Sequence, residues 1–173
     1  MIVPRVLAWA FFTLWVTWAF ALQARLASGG GFGAWTPDAG LVLALSVLAR
    51  AEARHAPLLA VLMALSRSAL GAEPAVALLS GSLGVILLAL ASRSMVELTG
   101  PAWRAAAAGA CVLAFDLWLM TVHRVRARDL ALPLAPEALA AIPNAVASAL
   151  LALVLGPALA HLPGLTPLRR RRW

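Results

Sequence analysis

The chain has 173 residues, 63% of them hydrophobic and only 12% charged, with a mean hydropathy of +0.91. A water-soluble domain carries about 25% charged residues, so this composition excludes a soluble globule and points to an outer surface that meets lipid. The net charge of +7 rests on arginine alone, with no lysine in the chain. The arginines sit in loops and at the tail rather than on a face with aromatic stacking platforms, which speaks against a nucleic-acid partner.

At about 20 residues per crossing, the length predicts one all-α transmembrane domain, a bundle of about six helices of which two are short. The single Cys111, inside an apolar run, leaves no disulfide framework and no cysteine metal site. The first span runs from Pro4 to Leu22 and is closed by Gln23 and Arg25. It is longer than a signal-peptide core, has only Arg5 as a positive leader, and is followed by equally hydrophobic sequence, so it reads as a retained span. Ser28-Gly-Gly-Gly-Phe-Gly33 reads as a flexible turn; it lacks the Lys-Ser/Thr and the preceding strand of a phosphate loop.

Trp35-Thr-Pro-Asp38 reads as a helix start, with Thr36 as cap, Pro37 in the first turn and Asp38 at the positive end of the helix dipole. The second span covers Pro37 to Leu48 and the third Pro57 to Leu70, either side of the charged turn Arg50–His55. Both are short for a full crossing. A fourth runs from Pro74 to Ser92. Thr99-Gly-Pro101 is a stop and a restart, and the fifth span covers Pro101 to Val122. A polar linker, His123–Pro133, leads to a sixth span, Pro136 to His161, kinked at Pro143. Residues 162–173 form a basic tail.

Six crossings put both termini on one side, together with nine arginines (Arg5, Arg50, Arg54, Arg93, Arg104, Arg169, Arg170, Arg171 and Arg172) against five on the other (Arg25, Arg67, Arg124, Arg126 and Arg128). The positive-inside rule then places the termini in the cytoplasm. Trp35, Trp103 and Trp118 suit an interfacial aromatic belt.

Polar groups within spans are costly unless paired. Asp116 is the clearest, a candidate for a proton or ligand contact, for charge pairing with a partner protein, or for an internal hydrogen bond or salt bridge such as one to an arginine of the 124–128 loop. Asn144, beside Pro143, can satisfy the carbonyl that the proline frees, and Asp38 suits a helix start better than a catalyst. Arg67 and Glu73 flank a turn and can pair, as can Arg93 and Glu97. Ser80 and Gly84, four apart, predict close helix contact rather than a protease nucleophile. The histidines at 55, 123 and 161 share no metal-ligand spacing. Arg169–Arg172 reads as a topological anchor that also meets anionic lipid. No catalytic, cofactor or metal constellation stands out, and the chain is expected not to be an enzyme.

Order and spacing of these features resemble the MreD family of rod shape-determining membrane proteins. The carrying residues are Thr36-Pro-Asp38 with Leu41–Leu48, the short span Leu58–Gly71, the helix Ala75–Ala91 with its Ser80-Gly-Ser82 centre, and the basic tail. The family often has an aspartate in the third span, where this chain has Met63-Ala-Leu-Ser66. The resemblance implies a non-enzymatic scaffold of the bacterial inner membrane that binds a single-span MreC-like protein and connects the MreB filament to RodA and its partner transpeptidase. Asp116, Asn144, Asp38 and Arg169–Arg172 are then its candidate interaction residues. The chain is also similar in size and organisation to substrate-binding subunits of energy-coupling-factor vitamin transporters. In that reading Trp35, Asp38, Arg67, Asp116 and the Arg124–Arg128 loop converge on a ligand.

Overall fold

The computed structural model describes residues 3–29, 32–71, 73–95, 100–128, 135–159 and 161–168. Six α-helices account for most of them: α1 (Val3–Gly29), α2 (Ala39–Leu48), α3 (Ala56–Ser68), α4 (Ala75–Met95), α5 (Pro101–Ala127) and α6 (Ala135–Leu159). Short 3-10 turns lie at Gly33–Trp35, Ala53–His55 and Thr166–Leu168, and no strand occurs among the described residues. The fold is an all-α bundle.

Four helices, α1, α4, α5 and α6, are long and apolar enough to cross a membrane, which makes this a multi-pass membrane protein. Its outer surface is lined with large apolar side chains such as Leu7, Leu14, Trp18, Leu87, Leu150 and Val154. A patch of that extent is untenable in water and ordinary in lipid. The ten residues of α2 and thirteen of α3 span roughly 15 and 20 Å at 1.5 Å per residue. Neither matches a hydrocarbon core of about 30 Å.

Contacts fix how the helices run. Of the short α2–α3 hairpin, α2 is mostly buried among the other helices, whereas α3 shows Leu58, Val61 and Leu65 on the outer surface. At one end, here the proximal end, Trp9 of α1 meets His55 edge to face and Arg50 meets the His161 imidazole after α6. At the other, distal end, α1 leads to α2, α3 to α4, and α5 to α6. α5 and α6 share the most extensive contact. A methyl group added at Gly109 would come 3.1 Å from both the Ala145 carbonyl oxygen and the Ala149 β-carbon. Close backbone approach of this kind is how helices associate without a hydrophobic driving force between them. Likewise, Gly40 lies under the Phe20 ring, which joins α2 to α1.

Several boundaries differ from the sequence reading for one reason: loss of hydropathy marks where a helix leaves the apolar zone, not where it ends. α1 continues from Leu22 to Gly29 and α5 from Val122 to Ala127, so His123–Ala127 is helix rather than linker. Residues 129–134 lie outside the described set. α5 closes at Arg128, which takes the left-handed conformation at φ 55°. At α2 the cap is Asp38 itself, whose Oδ1 accepts from the Leu41 amide at 2.9 Å, and Thr36 instead donates to the Gly33 carbonyl. The segment after α6 is not a free tail from residue 162. Leu165 and Leu168 are buried, and Trp15 donates to the Pro163 carbonyl. Arg169–Arg172 and the expected Arg93–Glu97 pair lie outside what the structure describes.

Ser80 and Gly84 face outward, and a methyl added at Gly84 meets nothing within 4 Å. The close contact of α4 is made one position on: a β-carbon at Gly81 would stand 2.7 Å from the Trp118 ring. Trp118 donates to the Ala77 carbonyl at 3.0 Å, so it ties α5 to α4 instead of serving an interfacial belt.

Replacing Gly109 by valine should cost roughly 1–3 kcal/mol through overpacking, read in a denaturing-detergent titration, whereas Gly84→Ala should be neutral or slightly stabilising. A second check concerns the run of the helices. Cysteines introduced at Arg54 and Arg126 should react with an impermeant maleimide from opposite sides of sealed vesicles, with the buried Cys111 silent.

Candidate functional site: a polar layer inside the bundle

Four helices each bring a polar side chain to one level of the bundle. Asp38 caps α2 and is fully buried. Arg67, in the last turn of α3, binds Asp38 Oδ2 through Nη1 at 2.5 Å. An acid at a helix start and a base at a helix end both sit where the helix dipole favours their charge. The guanidinium carbon of Arg67 lies 4.7 Å from the Phe115 ring centroid and 5.3 Å from that of Phe20, so the cation is held between two aromatic faces.

From Asp38 the layer continues into α6 and α5. The Asp38 backbone amide donates to Ser148 Oγ at 2.8 Å, Ser148 donates to Asn144 Oδ1 at 3.2 Å, and the Asn144 amide donates to Asp116 Oδ2 at 2.7 Å. Asn144 and Ser148 are four apart and share a helix face. Asp116 lies eleven residues before the end of α5, roughly 16 Å at the helical rise. That is deeper than a helix ending at Val122 would place it.

The structure therefore brings together Asp38, Asp116 and Asn144, three residues singled out from the sequence, with Asp38 at the helix start expected of it and Asp116 in an internal hydrogen bond. Asp116 binds Asn144 rather than an arginine of the 124–128 segment, where Arg124 pairs with Glu137 at 3.0 Å. Asn144 spends its amide on Asp116 rather than on the carbonyl freed by Pro143. Arg67 turns inward to Asp38, and Glu73, its expected partner, meets His123 at 2.8 Å. Ser148 went unnoticed in the sequence. Its signal was the spacing of four from Asn144 on a helix otherwise almost wholly apolar. Arg67 had a signal as well: an arginine inside a span needs a partner at its own depth.

Outside the layer, burial pushes the His55 imidazole at the proximal end below its ordinary range. Trp35 stays exposed on its turn. Among the described residues no group of three or more His, Cys, Asp or Glu could hold a metal ion. Every polar member of the layer is bonded to another member, so the arrangement can lock helix positions and present one partly exposed carboxylate, Asp116. No family model, no curated protein and no solved structure matches this chain.

Breaking a buried ion pair from one side leaves an uncompensated charge and costs about 3–5 kcal/mol. Asp38→Asn and Arg67→Met should each destabilise the bundle on that scale. The double variant should lose clearly less than the sum, in a double-mutant cycle followed by denaturing-detergent titration.

Proposed function

We propose that this chain is a non-enzymatic scaffold of the bacterial cell-elongation machinery, set in the inner membrane with both termini in the cytoplasm. Its partner is a single-span MreC-like protein, and through it the MreB cytoskeleton is connected to peptidoglycan synthesis by RodA and its transpeptidase. The observation that carries this reading is where the resembling segments meet. Thr36-Pro-Asp38 opens α2 and Leu58–Gly71 holds most of α3, and the two are joined by the Asp38–Arg67 pair. Two of the segments behind the MreD resemblance are thus tied to each other. Their polar chemistry is directed at neighbouring helices, as a scaffold requires.

A second reading has its own support. Asp38, Arg67 and Asp116 converge, as a ligand-binding subunit of an energy-coupling-factor transporter would need. Against it, Arg67 is committed to Asp38 and Asn144 to Asp116.

Affinity purification of the tagged chain in gentle detergent from its native cells, followed by mass spectrometry, separates the two. A single-span periplasmic coiled-coil protein and wall-synthesis enzymes are the expected companions. Recovery of paired ATPases with a second polytopic subunit would overturn the scaffold reading. A thermal-shift screen of the purified protein against vitamins should show no stabilisation; a saturable shift, which mass action makes large well above Kd, would favour the transporter.

A further inference from the structure

The polar layer holds two carboxylates and one cation. Asp116 is joined to the Asp38–Arg67 pair through Asn144 and Ser148. Arg67 is taken by Asp38 at 2.5 Å and clamped between the Phe20 and Phe115 rings. The other elements around Asp116 add no free positive charge among the described residues. α6 supplies the neutral Asn144 and Ser148, its Glu137 is turned to Arg124, and α4 packs there through Gly81. With both acids ionised the layer would carry a surplus negative charge inside an apolar bundle, an arrangement that membrane interiors penalise by several kcal/mol.

We propose that Asp116 holds a proton in the folded bundle, so that the polar layer is an electroneutral one-proton site. The proton resides on Oδ1, since Oδ2 accepts the Asn144 amide at 2.7 Å. It comes from water when the bundle folds, and Asp116 is only partly enclosed by its neighbours. A metal cation at Asp116 would call for the Asn144 amide oxygen, which the Ser148 hydroxyl holds. Arg67 makes the choice between the acids: whichever carboxylate it binds is the ionised one. This inference rests on the membrane-spanning fold alone and stands apart from the scaffold reading.

The test is infrared spectroscopy of the whole protein in lipid nanodiscs at neutral pH, in H2O and in deuterated water. The wild type should show a protonated-carboxyl C=O band that shifts on deuteration and is missing from Asp116→Asn. If that variant fails to fold, Asp116→Glu should instead move the band. In Asp38→Asn the band should vanish too, because the released Arg67 then pairs with an ionised Asp116. No such band in the wild type would overturn the proposal, as would its persistence in Asp116→Asn or in Asp38→Asn. Loss of the band when sodium replaces choline in the buffer would assign the site to a metal cation and equally overturn it.

Discussion

Two helices of this bundle end inside its apolar thickness, and a helix end leaves amides or carbonyls that nothing in lipid can satisfy. α2 begins at Asp38 and α3 closes at Ser68, both at the depth where α5 carries Asp116 and α6 carries Asn144. The exposed start of α2 is met in two ways. The Asp38 carboxylate takes the Leu41 amide, and Ser148 takes the amide of Asp38 itself. A capping carboxylate buried there needs a cation, which Arg67 supplies. That cation in turn needs a sheath, which Phe20 and Phe115 provide. Each requirement brings in the next helix, until five of the six contribute a side chain to one level.

Such a layer is better understood as registry than as strength. Ion pairs taken out of water gain little net stability, because desolvation offsets most of their attraction. What they do is make alternatives costly. Shifting α3 by one turn against α2 would bury Arg67 and Asp38 apart, and sliding α6 by one turn would separate Asn144 from Asp116. The small-residue contact at Gly109 permits close approach of α5 and α6, and the polar layer selects one alignment among those that shape alone would tolerate.

The helical class and the rough spans were legible because hydropathy directly reports residues that must avoid water. The identity of the polar contributors was also legible: Asp38, Asp116 and Asn144 stand out against apolar neighbours. Their partners were not. Pairing depends on which helices adjoin and at what depth, and those are set by contacts such as Gly40 under Phe20, which join residues twenty positions apart in the chain. Arg67 was assigned to Glu73 because sequence distance favours near neighbours. In the fold, α3 ends at the level where α2 starts, so a residue 29 positions away lies closer. Gly81 was passed over for Gly84 by the same lack. Spacing identifies a helix face but does not say which way that face turns.

The helices that outlast the polar layer leave the bundle unequal at its two ends. Six helices share the proximal part, whereas α2 and α3 stop at the level of Phe20, Asp116 and Asn144. Beyond it continue α1, α4, α5 and α6, as does the turn from α3 to α4, where Glu73 meets His123. The number of helices among the described residues thus differs between the two halves, six in one and four in the other, so thinning or thickening of the bilayer loads them unequally.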